Sequence, residues 1–302
     1  MNPTLILTAD WHLRGDVPKA RLDKQTYHHT QAAKRDYIIA LAMKCECPIL
    51  VAGDVGHKPE WPNWLLTSLI GVLSAHKVRV LVVPGQHDLP EHRLDQWQNS
   101  GLGVLEASGA VEVLVEPLNS VVIDGIQIDT APFGEEPPEF DDSNEAQRHV
   151  LCCHRLISDK KADPNGGVFV DSFIKHHQQY DLILCGDNHK TFAKKYRDTL
   201  FLSPGSLMRM SADQIDHKPA VFLWYAETNL LRPVYLPIQA DVVSREHIET
   251  KKAKEERLSA FVERMKGTGE QKLQFEKNLE GRMEEANASP RVRGKVNTVL
   301  KG

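Results

Sequence analysis

The sequence predicts an α/β fold, because strand-like and helix-like segments alternate through the first part of the chain. Short apolar runs at 4–10, 48–54 and 79–85 have the length and composition of strands buried in a sheet. Longer segments at 26–44 and 62–76 lie between them and have the pattern of helices. Helices that alternate with buried strands are typical of a layered α/β domain.

The remaining elements follow from the same patterns. Residues 121–131 predict a hairpin that turns at Asp124 and Gly125, since Asp-Gly is a frequent two-residue turn. The run at 134–143 is rich in proline and acidic residues and predicts a surface loop, and 170–177 predicts a third helix. The later strand-like runs lie at 149–154, 181–186, 199–203, 220–226 and 231–237.

The character of the chain changes near residue 244, and we expect one domain over 1–240 and a charged segment over 241–302. Residues 245–302 contain 14 basic and 10 acidic side chains, so this part carries about +4 and the rest about −8. Its pattern predicts two amphipathic helices within 245–287, separated by glycines at 267 and 269. We expect the last fifteen residues, which are basic and lack acids, to be flexible.

Composition favours a cytoplasmic protein with no membrane segment. At 302 residues and 41% hydrophobic content, the chain is long enough to bury one large core. No run approaches the roughly 18 consecutive apolar residues of a membrane helix, and a strand begins too early for a signal peptide. Three of the five cysteines, Cys152, Cys153 and Cys185, fall in predicted core strands, which indicates small buried side chains in a reducing compartment.

Five polar clusters each follow an apolar strand-like run, and we expect the strand ends to bring them together. They are Asp10-Trp11-His12, Gly53-Asp54, Gly85-Gln86-His87-Asp88, His154 and Gly186-Asp187-Asn188-His189. Imidazole and carboxylate together suit manganese, iron or zinc, and cysteine, which would indicate structural zinc, is absent from the set. The clusters therefore predict the metal site of a hydrolase.

Each cluster alone has a simpler interpretation. Gly53-Asp54 could be an ordinary turn, His87 and Asp88 could be a solvated ion pair, and His154 could be a hydrogen-bonded buried histidine. Their conjunction favours the metal site, because five separate strand ends all deliver side chains that bind metals.

The order of these clusters resembles the signature of the calcineurin-like metallophosphoesterase superfamily, which runs D-x-H, G-D, G-N-H-D/E, H and G-H-x-H. The resemblance covers residues 4–238 and implies a four-layer α-β-β-α sandwich with mixed sheets. Within the superfamily the chain is similar to the SbcD-type DNA repair exonucleases. That similarity lies in His57-Lys58-Pro59 after the second cluster and in the later G-S-x-x-R and K-P patterns, at Gly205–Arg209 and Lys218-Pro219.

The resemblance implies two divalent metal ions and a residue for the leaving group. It assigns Asp10, His12 and His189 to one ion, Gln86, His154 and Asp187 to the other, and Asp54 as the bridge. Two such ions activate a water molecule and neutralise charge on a phosphate. The resemblance also implies that His87 is catalytic and contacts the substrate, and Asp88 stands where it would raise the pKa of His87.

The sequence departs from the family pattern at two positions, both on the second ion. Gln86 stands where the family has asparagine, and Asp187 stands where the family has the first histidine of its last motif. Asp187 brings the number of carboxylates to three, which makes the site harder and favours manganese or magnesium over zinc. We therefore expect two Mn²⁺ ions.

The function implied by the resemblance is a manganese-dependent DNA exonuclease or endonuclease that acts in double-strand-break repair or recombination. The alternatives are a phosphoesterase for small phosphate esters or cyclic nucleotides, and a weakly active scaffold that binds DNA ends. An acidic body is unfavourable for DNA binding, because phosphate contacts need basic groups. The basic residues that could form a local track are Arg14, Lys58, Arg155 and Arg209.

The resemblance also implies a partner besides DNA. SbcD-type nucleases use C-terminal helices to bind the coiled-coil base of an SMC-like ATPase of the SbcC type, and residues 245–287 occupy the corresponding place. Leu258, Phe261 and Met265 would be the apolar anchors in a helix-in-groove contact. The alternatives are that these helices pack on the chain's own sheet or pair in a homodimer.

Overall fold

The computed structural model describes residues 2–115, 120–143, 146–164, 166–245, 255–260 and 269–301. The chain divides into two compact units, Met1–Ser244 and Arg245–Gly302. The first unit contains two six-stranded sheets, and the second is described by its helices alone.

The first sheet contains the strands that follow one another early in the chain. They are β1 (Leu5–Thr8), β2 (Ile49–Ala52), β3 (Val80–Val83) and β4 (Glu112–Val113), with β13 (Ala220–Tyr225) and β14 (Leu230–Tyr235) from the end of the unit. The order across the sheet is β14-β13-β1-β2-β3-β4. Strands β1 to β4 are parallel, whereas β13 pairs antiparallel with β1 and β14 with β13.

The second sheet is also mixed. Its strands are β5 (Ser120–Ile123), β6 (Ile126–Ala131), β7 (Arg148–His154), β10 (Leu182–Gly186), β11 (Phe192–Tyr196) and β12 (Thr199–Ser203). They lie in the order β11-β12-β10-β7-β6-β5, with a parallel centre and an antiparallel strand at each edge. A separate parallel pair is formed by β8 (Ile157–Ser158) and β9 (Val168–Phe169).

Four helices of the first unit each bury one face. They are α1 (Tyr27–Cys45), α2 (Asn63–His76), α3 (Gly101–Ala107) and α4 (Val170–His176). In α2 the buried residues are Leu65, Leu69 and Leu73, a four-residue spacing that lines one face of a helix. The second unit contains a helical segment at 255–260 and then α5 (Gly269–Glu285) and α6 (Pro290–Lys301).

The two sheets pack face to face between layers of helix. Neighbouring strand residues point in opposite directions, so Ile6 contacts a cluster that includes Ile38 of α1, whereas Leu7 contacts a cluster that includes Val150 of the other sheet. A third cluster places Phe173 of α4 against the outer face of the second sheet. The predicted four-layer α-β-β-α arrangement is confirmed.

Several expectations about single elements are settled by the structure. The hairpin turns at Asp124 and Gly125, which both have the positive φ values of such a turn, 50° and 78°. Most of the last fifteen residues, for which the sequence indicated no regular structure, form a helix, Pro290–Lys301, that begins with proline at its first position. Leu258 lies in a described helical segment and is 59% exposed, whereas Phe261 and Met265 lie outside the described residues.

The helices of the described residues were compared with the length and apolarity that a membrane crossing requires. None of them meets both requirements.

A cluster of buried cations ties α1 to the loop after β12. Lys34 is buried and donates to the Leu207 carbonyl oxygen at 2.9 Å, and Arg21 donates to the Arg209 carbonyl oxygen at 3.1 Å. Burial, together with the positive charges of Arg21 and Arg209, lowers the pKa of Lys34 to about 7. Asp23 forms an ion pair with Arg21 and partly offsets these charges.

The lowered pKa of Lys34 gives a pH-dependent stability. In the unfolded chain a lysine stays protonated to about pH 10.4. Between about pH 7 and 10, Lys34 is therefore protonated in the unfolded state and mostly neutral in the folded state. The free energy of unfolding should therefore rise with pH in this window, by at most about 1.4 kcal/mol per unit from this group. We expect Lys34→Met to flatten the rise, as measured by denaturant unfolding at several pH values.

Lys44→Met is the matched control, because Lys44 lies on the same helix and is exposed. It should keep the wild-type slope. Equal slopes in wild type and Lys34→Met would show that Lys34 is not the group responsible.

Candidate metal centre

The predicted site residues meet where parallel strands of both sheets end. Asp10 and His12 follow β1, Asp54 follows β2, and Gln86 follows β3 in the first sheet. From the second sheet, β7 ends at His154, and β10 is followed at once by Asp187 and His189. Because the two sheets face each other, residues far apart in the chain converge at one edge of the sandwich.

The backbone at this edge is strained. Asp10, His12, Asp54 and Asp187 all have positive φ, between 44° and 82°, a conformation that costs energy for residues other than glycine. Such strain persists only where the surrounding structure enforces it, and it concentrates at functional sites. The conformation turns these side chains away from the strand direction and toward one another.

Three of the side chains assigned to the first ion form a compact group. Asp10, His12 and His189 each offer a ligand atom, and these atoms lie within 4.8 Å of one another. The Nε2 atoms of His12 and His189 are 2.9 Å apart. Two neutral rings at this distance repel through their lone pairs unless a proton or a cation lies between them. Burial lowers the pKa of both rings, which favours the neutral form that binds metals.

The Asp54 carboxylate lies between the imidazoles of His12 and His154. Its Oδ2 atom is 3.6 Å from Nε2 of His12 and 3.5 Å from Nε2 of His154, and its Oδ1 atom accepts from the His87 backbone N–H at 2.9 Å. Although burial opposes ionisation, the nearby imidazoles, His154 above all, hold the pKa of Asp54 well below its usual range. The carboxylate is thus ionised and central, as a shared ligand requires.

His154 is held in one orientation. Its Nδ1 atom is 2.7 Å from the Ala52 carbonyl oxygen, so an N–H there leaves Nε2 free to be a ligand. A side chain at either of two glycines would displace the ring, since an added Cβ at Gly53 or Gly186 would lie 2.0 or 2.6 Å from Nδ1. Gly53 also has a φ of +82°, which favours glycine. These glycines permit the close packing of His154 against the first sheet.

The two residues that depart from the family pattern contact each other. Gln86 Nε2 donates to Asp187 Oδ1 at 2.7 Å. In the part of the chain that the structure describes, Asp10, Asp54 and His154 form a compact group of possible ligands, whereas Asp187 belongs to none. Gln86 and Asp187 therefore lie beside the centre and are bonded to each other through the amide nitrogen of Gln86, which leaves its Oε1 atom free to bind an ion.

Buried polar atoms at the centre fit a cation. Asp10 Oδ2, Asp54 Oδ2, Gln86 Oε1 and His154 Nε2 are buried and have no hydrogen-bond partner among the described residues. Most buried polar atoms have a partner, and oxygen and nitrogen atoms with free lone pairs are the ligands of divalent ions. These residues therefore fit the divalent metal ions that the sequence predicts, and they can hold them.

His87 and Asp88 differ in their surroundings. The Nδ1 atom of His87 is 3.0 Å from the His57 carbonyl oxygen, and the two rings stack at 5.3 Å. The Asp88 carboxylate instead accepts from the backbone N–H groups of Val55, Gly56 and Gly85. Burial and the negative charge of Asp54 raise the pKa of Asp88 to about 7. Contrary to expectation, Asp88 is oriented toward these loops and not toward the His87 ring.

Sequence reasoning missed the place of His57 in this cluster. Its ring lies 5.4 Å from that of His12, and His12, His57 and His87 together form a third group of possible ligands. Burial, followed by the charge of Arg14, lowers the pKa of His57 to about 4. The sequence feature that could have indicated this place is the position of His57, three residues after Asp54 on the same loop.

Most of the predicted basic track is already paired. Arg14 forms an ion pair with Asp16, and Arg155 forms one with Glu136. Arg209 is buried and donates to the backbone carbonyls of residues 215 and 239. Arg14 and Lys58 line a cavity beside the site.

Comparisons with known proteins give structural similarities only. Neither protein-family models nor curated proteins match the chain. The protein TT1561 of Thermus thermophilus is 12% identical, with a TM-score of 0.49 over 78% of this chain and 99% of its own. An archaeal phosphodiesterase is 13% identical, with a TM-score of 0.39 over 77% of this chain and 99% of its own. The phosphopantetheinyl hydrolase PptH of Mycobacterium tuberculosis is 16% identical, with a TM-score of 0.42 over 78% of this chain and 97% of its own.

Asp187 should influence which metal binds. If it is a ligand, Asp187→His replaces a hard oxygen with an imidazole nitrogen and shifts the preference from manganese toward zinc or nickel. The measurement is the bound metal after incubation with equal amounts of Mn²⁺ and Zn²⁺. Asp187 and Asp213 line one cavity, and Asp213 is exposed. Asp213→His is therefore the control and should keep the wild-type ratio of bound manganese to zinc. An unchanged metal content in Asp187→Ala would show that Asp187 is not a ligand.

Proposed function

We propose that this chain is a metal-dependent phosphoesterase that hydrolyses phosphodiesters. The observation that carries the proposal is the position of Asp54, an ionised and buried carboxylate between His12 and His154, surrounded by buried atoms that lack partners among the described residues. Divalent ions bound there supply an activated water and neutralise charge on the phosphate. Asp10, His12 and His189 would hold one ion, His154 with Gln86 and Asp187 would hold the other, and Asp54 would serve both.

His87 is the group that we propose acts on the leaving oxygen. Its backbone N–H is bonded to Asp54, so it lies beside the centre, and its Nδ1 atom can donate to the His57 carbonyl. This bond leaves Nε2 as the atom that holds or transfers a proton. Asp88 supports the same site by fixing the loops after β2 and β3 through its three backbone hydrogen bonds.

The finer proposal is a DNA exonuclease or endonuclease that uses manganese in break repair or recombination. Its support is the similarity of His57-Lys58-Pro59 and of the later G-S-x-x-R and K-P patterns to the SbcD-type branch, together with three carboxylates that favour a hard ion. In the same proposal, the second unit binds an SMC-like ATPase, and its support is the two-helix pattern of the sequence.

A phosphoesterase for small esters is the second candidate. The observations that favour it are the −8 charge of the first 244 residues and the pairing of Arg14 and Arg155 with acids. Both leave little positive surface for a DNA backbone.

A substrate panel separates the two candidates. With Mn²⁺ present, we expect hydrolysis of single- or double-stranded DNA and of bis-nitrophenyl phosphate, and slower hydrolysis of nitrophenyl phosphate. Turnover of the small esters with intact DNA would contradict the nuclease and leave the phosphoesterase. The absence of any turnover in metal-loaded protein would contradict both and favour a binding scaffold.

His87 and Asp54 should respond differently to truncation. His87→Ala should keep the wild-type metal content and lower turnover by roughly 10²- to 10⁴-fold, because it removes a proton donor and no ligand. Asp54→Ala should lose metal as well, since it removes the shared carboxylate. Metal content by elemental analysis and turnover of bis-nitrophenyl phosphate are the two measurements. Loss of one metal equivalent in His87→Ala would contradict its assignment to the leaving group.

A further inference from the structure

A groove opens beside the two stacked histidines. Its volume is about 350 Å³, and it is lined by two loop segments, 13–16 and 57–62, and by Trp64 of α2. His57 lines this groove and stacks on His87, so the groove adjoins the side chain assigned to the leaving oxygen. Whatever is attached to that oxygen would extend into this space, which we call the leaving-group groove.

Trp64 presents a braced aromatic face in the groove. It is 49% exposed, although a tryptophan buries more apolar surface than almost any other side chain when it is covered. Its ring packs edge-on against His28 at 5.2 Å, and His28 packs in the same way against the buried ring of Tyr27 at 5.4 Å. The indole is thus fixed from behind while about half of it remains open.

The charges along the groove balance. Arg14 is paired with Asp16, and Lys58 is accompanied by Glu60 on the same wall. A groove with two cations and two carboxylates has no net attraction for a second phosphate, and it suits a neutral aromatic group that can also form hydrogen bonds.

We propose that the leaving-group groove is a nucleoside subsite in which a base stacks on Trp64. Bases stack on aromatic side chains without regard to sequence, since every base has a flat face. The subsite would select phosphodiesters whose leaving alcohol is a nucleoside over those that release a small alcohol. This inference rests on the proposed phosphodiesterase function and assigns Trp64 as a specificity residue.

Two reactions test the subsite in the metal-loaded protein. One is release of thymidine from a thymidine dinucleotide, and the other is release of methanol from the methyl ester of thymidine 5′-phosphate. Trp64→Leu should lower kcat/KM for the first by about 5- to 150-fold and leave the second within twofold. Trp64→Phe keeps an aromatic face and should recover most of the loss. Tyr37→Leu, at an exposed tyrosine on α1 outside the groove, should change neither.

Binding in the absence of turnover separates the subsite from the activity. With EDTA present, titration calorimetry should show that the dinucleotide binds wild type and Trp64→Phe, and binds Trp64→Leu more weakly by the same factor. If this pattern holds and no ester is hydrolysed with metal, the subsite stands and the proposed function fails. Equal dinucleotide binding, or equal kcat/KM, in wild type and Trp64→Leu would overturn the subsite while leaving the phosphoesterase intact.

Discussion

The Asp54 carboxylate is fully buried at the junction of the two sheets, and the surrounding structure depends on keeping it charged there. Moving a carboxylate out of water costs several kcal/mol unless opposite charge and hydrogen bonds offset the loss. The described partners of Asp54 are the imidazoles of His12 and His154 and one backbone N–H. Asp10 is equally buried beside it, and burial, with the charge of Asp54, raises the pKa of Asp10. Two acids in one buried space repel, so the charge balance favours a cation at this centre.

The same constraint explains the backbone around the site. For the two sheets to place their strand ends at one point, His154 must lie almost against the first sheet, and a Cβ at Gly186 would be 1.8 Å from the Ala52 carbonyl oxygen. Glycine at this position is therefore a condition of sheet packing as well as of metal binding. Asp10 and Asp54 have positive φ at the same junction, a strained conformation that persists only where the surrounding structure enforces it.

The sequence predicts the positions of the strands better than it predicts the orientations of the side chains. The strand ends were predictable, because a buried strand is a short apolar run and a polar residue after it has to lie at the sheet edge. The turn at Asp124 followed from the same local patterns, whereas the four layers were an implication of the family resemblance. The helix α6 was missed, because a basic segment without acids resembles a flexible tail unless its apolar spacing is given more weight.

The orientations of side chains were not predictable, since they depend on contacts between segments far apart in sequence. Asp88 is adjacent to His87 in the chain, yet its carboxylate is bonded to the loop after β2, which the order of residues does not show. Gln86 and Asp187 are separated by 101 positions and meet through a hydrogen bond. This bond joins the two positions at which the sequence departs from the pattern it resembles.

That hydrogen bond also leaves the second group ready for an ion. It uses the amide nitrogen of Gln86, so the amide oxygen, which is the atom that could bind a metal, is buried without a partner among the described residues. His154 Nε2 and Asp54 Oδ2 are unpartnered in the same way, as Asp10 Oδ2 is in the first group. Both groups therefore present free lone pairs to a cation, and an acidic body favours binding by concentrating divalent cations around the site.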